Sequence, residues 1–190
     1  MFNNIREDFY RYRQFGGDSD SSIIAFLKVL NDEPGFKSLV IYRFGQWIVN
    51  GNESSFKLLL FPLYTLLEVL VQKLYGIHIS PSAKIAPGFY VGHFGGIFIG
   101  NVKFGGRCSI HQHVKINYEK KGSDSDHLTT KIGNDVWIGA HSTIYEGLII
   151  SDGATISAGS IVEHDILTPS LVMGHKARII LKEYNNTDLL

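Results

Sequence analysis

KIGNDVWIGAHSTIYEGLIISDGATISAGSIVEHD, residues 131–165, places an isoleucine or valine at every sixth position: Ile132, Ile138, Ile144, Ile150, Ile156 and Val162. Four positions after many of these comes a small or apolar residue, as at Val136, Ser142, Ala154 and Ser160. Glycine follows one or three positions after, as at Gly133, Gly139, Gly147, Gly153 and Gly159. An α-helix repeats near 3.6 residues and an ordinary strand alternates in twos, so neither produces a hexad. A six-residue repeat marks a parallel β-helix, in which each hexad forms one short flat side and its turn. Three sides close a triangular coil, and residues eighteen apart then stack: Ile132 on Ile150, Ile138 on Ile156, Ile144 on Val162. The expected fold is a left-handed parallel β-helix built on hexapeptide repeats.

The pattern extends toward the N-terminus. Ile79, Ile85, Val91 and Ile97 are six apart, and after a one-residue slip the series resumes at Val102, Cys108 and Val114. One interruption, NYEKKGSDSDHLTT at residues 117–130, is polar and carries His127. A loop on a rigid scaffold is a common bearer of function. The first 75 residues read instead as helices: Ser19 to Ser22 offers N-cap residues before IIAFLKVL, and Pro34-Gly35 ends that run. The expected organisation is an α-helical region over 1–75, a β-helix over 76–180 and a tail over 181–190.

Eighteen basic and eighteen acidic residues cancel, with no basic stripe, which argues against nucleic acid as a partner. Cys108 is the one cysteine, excluding an internal disulfide framework and a cysteine-rich zinc site. The opening MFNNIREDFYRYRQF lacks the basic-then-apolar order of a secretory signal, so a cytoplasmic location is the default expectation. KLLLFPLYTLLEVLVQKLY, residues 57–75, approaches bilayer-spanning length but is broken by Pro62, Glu68, Gln72 and Lys73. It reads as a helix buried against its own domain or a subunit partner, with peripheral membrane contact as the lesser reading. His111 and His113 could line a cleft or face solvent. Without an accompanying carboxylate or cysteine they suggest no metal, and none is expected. His141, His164 and His175 read as surface residues, and Cys108 as a small core residue.

These hexads, the polar histidine-bearing loop and the closing LVMGHKARII resemble the hexapeptide-repeat acyltransferases, in particular their serine acetyltransferase-like branch. The branch is similar through EPGFKSLVIYRFGQWI, HISPSAKIAPGFYVGHFGGIFIG and IGNDVWIGAHSTI, covering roughly residues 18–180. The resemblance implies an acetyl-CoA-dependent O-acetyltransferase. His93 would be the general base that takes the acceptor's hydroxyl proton, and His127 would bind or polarise the acceptor. Imidazole suits the first role because its pKa of about 6.5 lies near working pH. The resemblance also implies that pantetheine lies along Gly139, Ala140, Ala158 and Gly159, and that Lys176 and Arg178 bind its phosphates or simply face solvent. A homotrimer, possibly a higher assembly, is expected on the same ground.

The chain departs from the branch where the acceptor binds. Serine acetyltransferases carry an acid immediately before the catalytic histidine, where Gly92 stands, and an arginine before the loop histidine, where Asp126 stands. The acid that orients the catalytic histidine aligns with His78, and Asp20 or Asp18 matches a further serine-binding acid. Without a cation for the substrate carboxylate, free serine loses a partner. These changes, with an aromatic set of Phe89, Tyr90, Phe94 and Phe98, lead to the expectation of a sugar or surface-polysaccharide hydroxyl as acceptor. L-serine is the alternative, and a non-catalytic β-helix acting as an assembly module is the reading of another class.

Overall fold

The computed structural model describes residues 1–17, 20, 22–49, 55–118, 129–175, 178–185 and 187. Four helices come first: α1 Phe2–Phe15, α2 Ile23–Asp32, α3 Pro34–Val49 and α4 Ser55–Tyr75. Ser22 caps α2 by accepting the Ala25 amide, and Pro34 opens α3, where its missing N–H is no loss. The strands then follow as β1 Ile77–Ile79, β2 Lys84–Ile85, β3 Tyr90–Val91, β4 Ile97–Ile99 and β5 Val102–Phe104. Next come β6 Ser109–Ile110, β7 Lys115–Tyr118, β8 Thr130–Ile132, β9 Trp137–Ile138 and β10 Thr143–Tyr145. The last are β11 Ile149–Ile150, β12 Thr155–Ile156, β13 Ile161–Val162, β14 Ser170–Met173 and β15 Arg178–Lys182.

The strands form three parallel faces of a left-handed β-helix of about four turns. Face one runs β1-β4-β7-β10-β13, face two β2-β5-β8-β11 and face three β3-β6-β9-β12-β14, with β15 antiparallel on β14. The stacking expected from the hexads is present: Ile132 pairs with Ile150, Ile138 with Ile156 and Ile144 with Val162. Each is at least 95% buried. Burying one such side chain contributes about 1.5–3 kcal/mol, so the ladder of aliphatics carries the prism.

In the first coils the frame differs from the simple count. Ile110 stacks on Val91, yet the residue six beyond Ile110, Ile116, stacks on Ile99 rather than on Ile97. Ile85 lies under Phe104. The series Val102, Cys108 and Val114 therefore belongs to the small companion positions, level with Val136 and Ser142, and not to the aliphatic hexad. The pattern misleads because both positions of each short side point inward and both are buried. Cys108 is a core residue as expected: its thiol lies 3.1 Å from the Gly133 carbonyl oxygen, and burial pushes it up to about 12.

The helices cover the open end of the prism, where the first coil would leave backbone groups unpaired. Tyr12 donates its hydroxyl to the Val91 carbonyl (2.9 Å) and accepts the Val91 amide (3.0 Å). Tyr42 donates to Ala83 and accepts from Ile85 in the same way. Asp8 accepts the Phe89 amide, while Arg43 donates to the Ile85 and Ala86 carbonyls and to Asp8 at 2.9 Å. Burial raises the Asp8 carboxyl above its ordinary value, against the pull of Arg43. α4 packs on α3 where a side chain at Gly45 would strike the Tyr64 ring. It buries Tyr64 and Val71 and leaves Leu59, Leu63, Leu66, Leu70 and Leu74 exposed. Among the described residues, no helix is long and apolar enough to cross a membrane.

Candidate functional site

The corner between face three and face one gathers most of the candidate residues. Val91 pairs with Ile110 and Phe98 with Lys115, so the chain takes seven steps around the first corner and five around the second. Ile138 to Thr143 and Ile156 to Ile161 also take five. The two extra residues lie within Gly92–Gly96. His93 (φ 60°), Gly95 (104°) and Gly96 (64°) all take left-handed backbone there. Glycine does so freely, whereas a side-chain-bearing residue in that region is uncommon and costs energy. His93 is thereby held out on the exposed side of the corner.

One coil on, His111 is partly buried. Its ring centroid lies 6.4 Å from that of His93 and 4.9 Å from that of Trp137. Burial, then the nearby His93, lowers its pKa from 6.5, so it is held neutral. A side chain at Gly92 has no room: an added Cβ would lie 2.8 Å from a Tyr90 ring carbon and 2.9 Å from His111 Nδ1. The missing acid at this position is thus replaced in space by a second imidazole. His113 and His141 stack at 4.5 Å on the same corner, and His113 lies across Gly96. His141, expected at the surface, is exposed and also belongs to this histidine row.

Further along the same edge come Gly139 and Ala140, then Ala158 and Gly159. The Gly159 amide donates to the Ala140 carbonyl at 2.8 Å, which stacks the two steps. A Cβ on Gly139 would lie 2.5 Å from the Ala158 amide nitrogen, so the coils touch closely there, whereas Gly159 faces open space. His93 and the four small residues expected along the donor groove therefore share one edge of the prism, successive coils lying about 4.8 Å apart.

Other expected residues fall elsewhere. His78, on β1, hydrogen-bonds Glu68 Oε1 through Nδ1 at 2.9 Å and stacks on Phe98 with centroids 5.2 Å apart. The carboxylate absent at position 78 is thus brought to the His78 ring by Glu68 of α4. Asp20 accepts from the Ser22 amide and hydroxyl at the start of α2. Arg178 lies exposed on β15. His127, Asp126, Lys176 and Asp18 lie outside the described residues. The aromatic set forms no single wall. Phe89 is fully buried against Phe104, Tyr90 packs on Tyr12 and Phe15, Phe94 meets Tyr75, and Phe98 covers His78.

Sequence reading missed Glu33. It sits between α2 and α3, and burial followed by its neighbour Asp32 raises its carboxyl, while His93 pulls it down. The same carboxylate acts on Tyr90. Its neighbourhood is set by Gly35, where a Cβ would strike the Val91 carbonyl, so the start of α3 abuts β3 two residues before His93. Nothing local in NDEPGF announces an electrostatic influence that reaches across sixty residues of chain.

Fold and corner define a class: a hexapeptide β-helix with an exposed histidine in line with a small-residue edge. The chain matches, over residues 129–164, the family model described as "Bacterial transferase hexapeptide (six repeats)". It is 31% identical over 165 residues to the serine acetyltransferase of Synechococcus elongatus, covering 86% of this chain and 64% of that one. To the serine acetyltransferase of Escherichia coli K12 it is 30% identical, covering 90% and 58%. The chain thus spans about half to two thirds of the length of these relatives. Soybean serine acetyltransferase complexed with serine superposes with a TM-score of 0.74 at 25% identity, covering 94% of this chain and 68% of that one. These relatives overturn the expectation of a sugar or polysaccharide acceptor. The residues that suggested it fail physically as well: the aromatic set is dispersed, and the Gly92 vacancy is filled by His111.

Proposed function

We propose that this chain transfers the acetyl group of acetyl-CoA to the hydroxyl of L-serine, as the names of its relatives suggest. The observation that carries the reading is the exposed His93, held in left-handed backbone at the head of an edge whose next steps are Gly139, Ala140, Ala158 and Gly159. The small residues admit the pantetheine arm against the backbone and bring the thioester up to the histidine. His93 accepts the serine hydroxyl proton as the oxygen attacks the thioester carbonyl. A new C–O bond forms, the C–S bond breaks, and the imidazolium returns the proton to the departing thiolate. O-acetylserine and coenzyme A result, with no acyl-enzyme.

Glu33 supplies negative charge beside His93, where Gly92 cannot. It suits both the imidazolium that forms during transfer and the ammonium group of the acceptor. His78, tied to Glu68, braces the neighbouring strand. The edge opens outward, so a neighbouring β-helix would close its far side; the assembly proposed is a homotrimer.

The test is thiol release from acetyl-CoA with L-serine, with O-acetylserine identified by mass. His93→Ala is expected to lower the rate about 10²–10⁴-fold with the melting temperature unchanged. A wild-type protein that releases no thiol with serine, or a His93→Ala variant as active as wild type, would refute the proposal.

A further inference from the structure

Gly92 and His111 form a matched pair. The sequence offers a bare backbone immediately before His93, and the fold brings an imidazole from the next coil into the volume a side chain there would take. The ideal Cβ position is 2.9 Å from His111 Nδ1 and 3.0 Å from Cε1. The Gly92 amide is already used, donating to the Ile110 carbonyl at 2.8 Å, and the ring brings a further polar group to this place. Its other nitrogen, Nε2, is shut away from water with no hydrogen-bond partner among the described residues. A sealed, unsatisfied polar atom costs roughly 1–3 kcal/mol, so this imidazole is not there for stability.

We propose that His111 is an acceptor-binding residue, presenting Nδ1 beside His93 to the ammonium group of the amino-acid acceptor. This rests on the serine reading of the site. The ring is held neutral by burial and by His93, and a neutral imidazole with its proton on Nε2 carries a lone pair on Nδ1 that accepts a hydrogen bond. Glu33, whose carboxyl His93 pulls down and which raises Tyr90, offers a carboxylate on the same side of the site to balance the ammonium. The two ring centroids, 6.4 Å apart, let one small acceptor touch both: its hydroxyl at His93 and its amino group at His111.

The experiment compares L-serine with 3-hydroxypropanoate, which keeps the hydroxyl and carboxylate and lacks the amino group. His111→Leu removes the polar atom at similar volume; His111→Asn retains a polar atom near the place of Nδ1. In His111→Leu, KM for serine is expected to rise about tenfold or more, the value of a hydrogen bond to a charged group. KM for acetyl-CoA should stay within about twofold, and the preference for serine over its deaminated analogue should collapse by a similar factor. His111→Asn should recover most of that preference, and Gly92→Ala, which displaces the ring, should weaken it. A His111→Leu enzyme that keeps its serine KM and its preference overturns this assignment alone. So does one that loses turnover equally with both acceptors. A wild-type protein silent with serine overturns the acceptor assignment of the site and this proposal together.

Discussion

The first corner of the prism and the three below it are built to different rules. The later corners take five steps, stack in register and add one aliphatic layer per side, as Ile138 over Ile156 shows. The first takes seven steps, adds Gly95 and Gly96 in left-handed backbone, and has the outer edge of its β3 side satisfied by Tyr12 rather than by another coil. Regular coils make a wall, and the irregular one makes a site.

This contrast can be broken most sharply by removing Gly95 and Gly96, so that the first corner takes five steps like its neighbours. Activity should fall by at least about 10²-fold, because a base displaced by an ångström no longer meets the acceptor. Circular dichroism should show the β-helix intact. A shortened variant with full activity would mean that the extra residues have no part in the site.

The support of the first coil can be separated from that of the others by two stability measurements. Arg43→Ala leaves Asp8 buried without its cation and is expected to cost about 3–5 kcal/mol in denaturant unfolding. Ile138→Ala, in a regular coil, removes one rung of the ladder and should cost about 2–5 kcal/mol. A cost near zero for Arg43→Ala would show that the helices add nothing to the first coil.

The smallest effect concerns pH. His111 has its folded pKa lowered below the ordinary 6.5. Stability is therefore undiminished by this group above 6.5 and is lost as pH falls from there through the lowered folded value. Wild-type stability should decline on acidification from pH 7, and His111→Leu should decline less. Equal slopes would place the His111 ring in water.

Much of this was legible in residues 131–165. There each hexad is complete, turns are uniform and the stacking partners eighteen apart follow by counting. The first coils were not legible in the same way. Val91 and Ile97 are six apart by coincidence, because two inserted residues carry the true partner on to Ile99. Cys108 and its companions mimic the hexad because both inward positions of a side are apolar. His93 and the glycine–alanine steps could be named from the motif. His111 and Glu33 could not, since each comes within electrostatic reach of His93 only after the chain has wound a full coil or folded a helix back over its end. The aromatic residues near His93 misled for the related reason that adjacency along a strand alternates between core and solvent, as fully buried Phe89 beside half-buried Tyr90 shows.

By itself the sequence determined the β-helix, since a six-residue apolar period can bury its aliphatics in no other regular backbone. It also named His93, through the resemblance of its motif and not through the period, which runs on from Val91 to Ile97 without showing the inserted residues. Tertiary structure alone decided what surrounds that histidine: the imidazole in the space beside Gly92, the carboxylate at Glu33 and the clamp of Tyr12. These contacts join segments from about twenty to eighty residues apart, and local periodicity holds no information about which side chains such distant segments bring together.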